Sequence, residues 1–239
     1  MSNVGDGIQA DRANWKFSGD ASKNFDEHVR RSVPFYTEGH DLICDISDFF
    51  VKPDSVIYEL GSSTGVLTLK LAEHNKHKPK ARFIGIDIEA DMVEIAEEKK
   101  KLNADLNVTF LVGDILETEM EATDMIVSYY TVQFIRPSVR QKLIDKIYQS
   151  LNWGGALLLF EKVRGADARF QDILTALYTD YKLRVGYSPE DIVSKSRSLK
   201  GILEPFSSQG NIDMLKRAGF VDINIVQKYL CFEGFLAIK

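Results

Sequence analysis

The sequence predicts an α/β protein with a doubly wound, seven-stranded, mostly parallel sheet, an antiparallel last strand and a helical insert. Two observations support this fold class. Short runs of consecutive apolar and β-branched residues alternate with helix-like segments between positions 55 and 162, as expected for strands covered on both faces of a parallel sheet. Two further strand-like runs close the chain with only a short turn between them, which favours antiparallel pairing.

Each element follows from a local pattern. The predicted parallel strands are SVIYEL, ARFIGID, NVTFLV, TDMIVSYY and GALLLFEK. The helical patterns between them are GVLTLKLAEHN, ADMVEIAEEKKKLNA and PSVRQKLIDKIYQSLN, and the last is expected to stop at the NWGG sequence of residues 152–155. After residue 162 about fifty residues show helices and loops without a strand. The closing strands are VDINIVQKY and CFEGFLAIK.

These patterns divide the chain. Residues 1–54 are expected to form an N-terminal arm and helices that cover a ligand site, with the first fifteen or so residues mobile. Residues 55–239 are expected to form the ligand-binding domain, with a helical substrate insert at 163–210. A chain of 239 residues suits one domain with such an elaboration.

Composition excludes several classes of function. The formal net charge of −5 disfavours direct nucleic-acid binding, which needs a basic face. Cys44 and Cys231 are far apart, and the four histidines show no metal-ligand spacing, so neither a zinc site nor a disulfide framework is expected. The N-terminus lacks a signal-peptide pattern, and no apolar run approaches the roughly 20 residues that cross a bilayer. We therefore expect a cytoplasmic protein without a membrane partner.

Acidic residues end three successive predicted strands. Glu59 ends the first strand and precedes a turn that contains Gly61 and Gly65, Asp87 ends the second, and Asp114 follows the third. In a doubly wound sheet, ligands bind beyond these carboxyl ends. The turn is neither GxGxxG nor a P-loop, and the carboxylate of Glu59 would repel a phosphate. An amine, a ribose and an adenine without phosphate describe S-adenosylmethionine (SAM), the expected cofactor.

The ordered set ExGxxxG, then Asp, then Gly-Asp, followed by two closing strands, resembles the class I SAM-dependent methyltransferase superfamily from Ser55 to Lys239. This resemblance implies a role for each of the following cofactor-binding residues. The methionine end is assigned to Glu59, Gly61 and Gly65, the ribose to Asp87, and the adenine to Asp114 and Ile115, with Met92 packed on its face. The other residues expected to bind the cofactor are Ser63, Ile88, Tyr36 and Tyr129. For Met92 a core position is an equally good interpretation.

Further segments are similar to the carboxy-SAM synthase family, which makes carboxy-SAM from SAM and prephenate. They are FDEHVRRSVPFYTE, TVQFIRPSVRQKLIDKIYQSLNWGGALLLFEK, GYSPEDIVSKSRSL and LKRAGF. The resemblance covers nearly the whole chain. It implies a homodimer, and it implies that Tyr36 reaches over the cofactor or over an anionic substrate.

The sequence departs from that family at three points. Ser62 stands where the family usually has a cysteine, and Tyr129 stands where it has a pocket asparagine. The family's pocket arginine, which pairs with the added carboxylate, corresponds to Ser196 without gaps and to Arg197 with one inserted residue near Pro189. Arginine suits bidentate binding of a carboxylate, so Arg197 is the preferred assignment.

The expected catalytic residues are Tyr36, Tyr129 and Arg197. Three functions remain open from the sequence. The first, and the preferred one, is methyl transfer from SAM to a small molecule that is expected to be acidic, and Tyr129 favours it. The second is carboxy-SAM synthesis, which Arg197 and the near-complete resemblance favour. The third is a non-catalytic SAM-binding module, which the retained acids at the strand ends disfavour.

Overall fold

The computed structural model describes residues 2–239, with side chains at 4–19 and 21–239. The strands are β1 (Ser2–Asn3), β2 (Gln9–Ala10), β3 (Val56–Leu60), β4 (Arg82–Asp87), β5 (Val108–Val112), β6 (Thr123–Tyr129), β7 (Leu151–Lys162), β8 (Asp222–Tyr229) and β9 (Phe232–Ile238). The helices are α1 (Asp20–Lys23), α2 (Phe25–Ser32), α3 (Tyr36–Ser47), α4 (Val66–His74), α5 (Ala90–Lys101), α6 (Pro137–Ser150), α7 (Ala168–Arg184), α8 (Pro189–Ser198) and α9 (Ser208–Ala218). A short 3-10 helix spans Val132–Phe134.

The main sheet has seven strands in the order β5-β4-β3-β6-β7-β9-β8. The strands β3 to β7 pair in parallel, and β9 runs antiparallel to both of its neighbours. The predicted fold class is therefore confirmed. The strand order reverses at β3, so the tips of β3, β4 and β6 lie at the switch point where ligands of this fold bind.

Both faces of the sheet are covered, which explains the continuous apolar runs. In β7, Leu158 and Phe160 belong to one apolar cluster, whereas Leu157 and Leu159 belong to another on the opposite face. Successive side chains of a strand point to opposite faces, so the central residues of such a strand are apolar at consecutive positions. The two clusters hold the strand tips in place below the ligand site.

The NWGG sequence differs from the prediction. Helix α6 ends at Ser150, and residues 152–155 already belong to β7 instead of a helix-terminating turn. Gly154 has φ of 77° in this segment, and the pairing of β7 with β6 is irregular between Thr123 and Met125. A glycine at positive φ permits this distortion inside the strand, so the two glycines shape the start of a strand.

The N-terminal arm, predicted to be mobile, is packed against the domain. Its strands β1 and β2 pair with each other, and Val4, Ile8 and Trp15 are at most 7% exposed. Asp6 accepts a hydrogen bond from His28 Nδ1 at 2.6 Å. The polar composition of the arm suggested mobility, but these few apolar side chains and one buried carboxylate give it a tertiary partner.

Between β7 and the closing strands lie α7, α8 and their loops, in the region where the helical insert is predicted. No helix in the described part of the chain combines the length and the apolar character needed to cross a bilayer.

Candidate active site

A cavity of about 1200 Å³ lies over the tips of the central strands. This exceeds the roughly 300–1,000 Å³ of a pocket for one drug-sized ligand. Its lining comes from the N-terminal arm, α2, the start of α3, the loops after β3 to β7, and helices α7 and α8. The cavity therefore has room for a nucleoside cofactor and a second small molecule.

The turn after β3 brings backbone to the cavity. Gly61 has φ of 78° and Ser63 has φ of 51°, and both line the cavity together with Ser62. A Cβ atom on Gly61 would collide with the side chain of Thr131. Glycine is therefore required here for conformation and for close approach.

Gly65 has a packing role besides the one that the resemblance implied. It has φ of 75° and caps the start of α4, but it does not contribute to the cavity lining. A Cβ atom on Gly65 would meet the ring of Phe110 at 2.5 Å and the side chain of Ala96 at 2.8 Å. Gly65 thus permits close packing of the turn against the domain core, and its contact with the methionine end stays a prediction.

Glu59 lines the cavity from the tip of β3 and is only 4% exposed. It accepts a short hydrogen bond from the hydroxyl of Thr68 on α4. Burial raises the pKa of Glu59 to about 8, since Thr68 offsets only part of the desolvation. A cationic amine entering the cavity would favour the ionised form of this carboxyl group.

Asp87 is held at the tip of β4 by the backbone. One carboxylate oxygen accepts from the amide of Ser63 at 2.7 Å, and the other accepts from the amide of Glu89 at 2.9 Å. Burial raises its pKa, although these backbone hydrogen bonds oppose the effect. Each oxygen retains a further lone pair for a ligand hydroxyl, which is the geometry that the predicted ribose contact requires.

The residues assigned to the adenine end lie together on the cavity wall. Asp114 lines it, but its carboxylate also accepts from the amide of Leu116 at 2.8 Å, as in a turn. Ile115 is 9% exposed and Ile88 is 64% exposed. Met92 satisfies both interpretations, because it is 1% exposed in the core and still borders the cavity.

Aromatic rings form the wall opposite the turn. The ring centroids of Tyr36 and Tyr129 are 5.0 Å apart, and Tyr130 stacks near Tyr36 at 6.4 Å. His40 lies 4.7 Å from the Tyr36 ring, and burial lowers its pKa to about 3, so its imidazole is neutral. Electron-rich ring faces attract cations, and the nearby carboxyl of Glu59 adds to that attraction.

A different part of the lining is cationic. The Nζ atoms of Lys162, at the end of β7, and of Lys182, on α7, lie 4.5 and 4.7 Å from the centroid of the Tyr178 ring. Burial lowers the pKa of both lysines, that of Lys182 to about 8, and the charge of Lys162 contributes to the effect on Lys182. Among the side chains that the structure describes, no carboxylate lies within 4 Å of either amino group.

Lys195 connects this cationic region to the N-terminal arm. Its Nζ lies 3.1 Å from the centroid of the Trp15 ring and 2.6 Å from Nε2 of His28. His28 Nδ1 in turn donates to Asp6 at 2.6 Å. Burial lowers the pKa of His28, which favours the neutral tautomer whose Nε2 accepts from Lys195. The arm is thereby attached to α2 and α8 beside the cavity.

Arg197 does not reach the cavity. On α8 the lining residues include Asp191, Ile192, Lys195 and Ser196, which share one face of the helix, whereas Arg197 is exposed. One residue advances a helix by about 100°, so the single-residue register decides which side chain points inward. Within α8 the cavity lining includes Ser196, the ungapped counterpart of the family's arginine, and does not include Arg197. The catalytic role of Arg197 stays a prediction.

No sequence pattern identified Lys162 and Lys182, or the buried polar residues that hold the backbone of Lys162 in place. Lys162 ends a predicted strand, as the three acids do or nearly do, so its position at the strand end is a signal that could have identified it. Gln133 accepts from the backbone amide of Lys162 at 2.8 Å, and Arg140 donates to the backbone oxygen of Gln133 at 3.0 Å. Lys182 had no sequence signal, because its position depends on how α7 crosses the sheet.

The residues present fit SAM. Ser62 Oγ, His40 Nε2 and Tyr130 OH are buried at the cavity and have no hydrogen-bond partner among the described residues. Such groups require a partner, which a polar ligand can provide. Asp87 suits the ribose, and the aromatic wall with Glu59 suits the positively charged methionine end. Within residues 2–239, no cluster of His, Cys, Asp and Glu is arranged to hold a metal ion.

Comparison with known proteins supports the same conclusion. Residues 57–155 match a family described as a methyltransferase domain. The chain is 39% identical to a carboxy-S-adenosyl-L-methionine synthase of Nautilia profundicola, over 94% of both chains. It is 37% identical to a protein of the same name from Staphylococcus epidermidis, over 94% of this chain and 97% of the relative.

Solved structures show the fold. A methyltransferase from Methanococcus maripaludis described as SAM-dependent superposes with a TM-score of 0.63 at 19% identity, covering 98% of this chain and 97% of the other. Human N-acetylserotonin methyltransferase, solved in complex with SAM, has a TM-score of 0.62 at 17% identity, with 92% of this chain and 55% of the other covered. The chain therefore belongs to the carboxy-S-adenosyl-L-methionine synthase family, SAM-dependent transferases with the class I methyltransferase fold.

Proposed function

We propose that this protein is a carboxy-SAM synthase that uses SAM and prephenate. The observation that carries the proposal is the division of one cavity into two halves. One half holds Glu59, Asp87 and the aromatic wall, and the other holds Lys162 and Lys182, which form no ion pair with any carboxylate whose side chain the structure describes. A cavity of this kind suits a cationic cofactor beside an anionic second substrate.

SAM, when bound, supplies the sulfonium methyl carbon that becomes carboxylated. The chain's own residues position and shield the reactants. Tyr36, Tyr129 and Tyr130 wall off the methionine end from water, and burial raises the pKa of all three, so their hydroxyls stay protonated. The lysines hold the anionic partner beside them. Catalysis by such a site is largely positioning and electrostatics.

Methyl transfer to a small acid is the second candidate. Two observations favour it: Tyr129 fills the position of the family's asparagine, and Arg197 lies outside the cavity lining. Both functions need an anion next to the cofactor, so the lysines are compatible with either. The family membership over nearly the full chain favours carboxy-SAM synthesis.

Mass spectrometry separates the candidates. The purified protein is analysed for co-purified ligand and then incubated with SAM and prephenate. Carboxy-SAM synthesis predicts a SAM derivative heavier by one carboxylate, with phenylpyruvate formed alongside it. Unchanged prephenate, with SAM or S-adenosylhomocysteine as the bound ligand, would contradict the proposal and favour methyl transfer.

We also propose that the protein is a cytoplasmic homodimer that binds no nucleic acid directly. The family resemblance supports the dimer, and α7 adds a physical argument, because Phe170, Ile173 and Leu177 on its surface are 55%, 45% and 43% exposed. The net charge of −5 supports the absence of nucleic-acid binding. Light scattering at micromolar concentration tests the dimer, and a monomeric mass would contradict it.

A further inference from the structure

Lys162 and Lys182 approach one aromatic ring from different elements. Lys162 ends β7, and Lys182 lies in the last turn of α7. Both amino groups lie within 4.7 Å of the Tyr178 ring centroid, and the hydroxyl of Tyr178 donates to the backbone oxygen of Ser32 at 2.7 Å. The ring is therefore held by α2, and it holds the two lysines at a defined place in the cavity.

This arrangement is unfavourable without an anion. Both lysines are partly buried, each loses hydration, and each ammonium group repels the other. The faces of Tyr178 compensate only in part, because a cation–π contact does not neutralise the charge of either amino group. Elsewhere in the described chain, lysines such as Lys70 and Lys99 pair with carboxylates. The cavity lysines are exceptions to that pattern.

Lys195 marks the outer limit of the cationic region. The charge of Lys182 contributes to the lowered pKa of Lys195, so the two amino groups are electrostatically coupled. Lys195 already has His28 and Trp15 as partners. Lys195 can thus stabilise a second anionic group of a ligand at the border of the cationic region. Lys162 and Lys182 are placed to bind the ligand's first anionic group.

The walls around the lysines are apolar. Phe232 belongs to an apolar cluster against which Leu174 and Tyr178 pack, both Phe232 and Leu174 line the cavity, and the Phe232 ring centroid is 6.0 Å from Nζ of Lys162. A phosphate would gain little from such walls. A compact hydrocarbon body with separate carboxylates would bury apolar surface and neutralise the lysines together.

We propose that Lys162 and Lys182 form a carboxylate subsite that selects the second substrate as a dicarboxylate with an apolar body, in place of a pocket arginine. This inference rests on the proposed function for the identity of the substrate, but not for the existence of the subsite. The subsite is distinct from the acids at the strand tips, so its loss is expected to leave cofactor binding intact.

Calorimetric titration tests the subsite with four probes at constant ionic strength. They are S-adenosylhomocysteine for the cofactor half, and malonate, acetate and prephenate for the lysine half. The variants are Lys162→Met and Lys182→Met, with Lys182→Arg to retain the charge. Lys80→Met is the matched control, because Lys80 is exposed on the loop before β4.

Both methionine variants are expected to bind prephenate at least tenfold more weakly than the wild type, with S-adenosylhomocysteine affinity within twofold. Malonate is expected to show the same loss, and acetate, with one carboxylate, to bind more weakly than malonate. Lys182→Arg is expected to retain most of the affinity. Wild-type affinity in both methionine variants, or an equal loss in Lys80→Met, would overturn the proposal.

Chemical labelling of the wild type keeps the test decisive if a variant fails to fold. Saturating prephenate or malonate is expected to protect Lys162 and Lys182 from acetic anhydride, as read by peptide mass spectrometry, and to leave Lys80 unprotected. Equal labelling with and without either ligand would refute the subsite. Failure of the proposed function is distinguishable: the wild type would then leave prephenate chemically unchanged while both lysines still governed its binding.

Discussion

The hydroxyl of Tyr129 donates a hydrogen bond to the backbone oxygen of Tyr36 at 2.7 Å, which joins the tip of β6 to the first residue of α3. The two rings meet edge to face, with centroids 5.0 Å apart. A tyrosine at this position therefore closes the cavity wall and also ties the N-terminal helices to the sheet. An asparagine side chain is too short to make both contacts.

Tyr129→Phe is expected to lower the free energy of unfolding by about 1 kcal/mol, because the variant leaves the carbonyl of Tyr36 without this donor. Urea denaturation measures the change. Tyr148→Phe, on α6 and outside the cavity lining, serves as the control. An unaltered midpoint for Tyr129→Phe would show that the hydrogen bond contributes nothing to stability.

Gly39→Ala is expected to be destabilising, although alanine normally stabilises a helix by about 0.5–1 kcal/mol relative to glycine. A Cβ atom on Gly39 would overlap the hydroxyl of Tyr129. In combination with Tyr129→Phe the penalty should shrink, because the overlapping atom is gone, and a coupling of about 0.5–3 kcal/mol is expected for residues in contact. Strict additivity in a double-mutant cycle would argue against direct contact.

Asp87→Ala is expected to weaken SAM binding by about 1.5–3 kcal/mol, the range for hydrogen bonds to a charged group. Isothermal calorimetry gives the affinity. Asp105→Ala, which removes an exposed carboxylate before β5, is expected to change nothing. Because Asp87 also accepts from two backbone amides, a separate thermal melt shows whether the variant remains folded. Unchanged affinity in a folded variant would refute the ribose assignment.

Stability is expected to fall as the pH rises from about 5 to 8 in the SAM-free protein. Burial raises the pKa of Glu59 and of Glu161 from the ordinary 4.5 to about 8. Between these values the two carboxyl groups bind more protons in the native state than in the unfolded state, so each lowers the free energy of unfolding as the pH rises, by at most about 1.4 kcal/mol per pH unit. The lowered pKa of His40 opposes this effect below about pH 6.5.

Urea denaturation at pH 5.5 and 7.5 measures this dependence. Glu59→Gln should reduce the slope, because glutamine does not titrate, and Glu161→Gln should reduce it further. Glu94→Gln, an exposed position on α5, should leave the slope as in the wild type. A wild-type slope in both Glu59→Gln and Glu161→Gln would mean that neither carboxyl group has the raised pKa.

Asp6→Asn is expected to loosen the N-terminal arm. Asp6 accepts from His28, from Arg31 and from the hydroxyl of Tyr187, and an amide cannot accept at both of its terminal atoms. Limited trypsin digestion should then cleave faster after Arg12 and Lys16, both of which are exposed. Asp54→Asn, at an exposed position before β3, controls for the loss of charge. Identical cleavage rates would show that Asp6 does not hold the arm.

The sequence by itself determined the sheet and its ligand-binding edge. Consecutive apolar residues in segments such as 56–60 and 125–129 require cover on both faces, which selects a doubly wound sheet. Acids at the ends of successive strands must meet at one edge, because parallel strands all end there. Glu59, Asp87 and Asp114 could therefore be assigned from local pattern alone, since chain direction decides where they lie.

The tertiary structure decided everything that depends on distant segments. Gly65 packs against Phe110, and helix α8 presents Lys195 and Ser196 to the cavity whereas Arg197 is exposed. Lys162 and Lys182 meet at Tyr178 only because α7 folds back over the end of β7. A local pattern records periodicity and strand ends, whereas the side of a helix that faces a cavity depends on packing against residues far away in the chain.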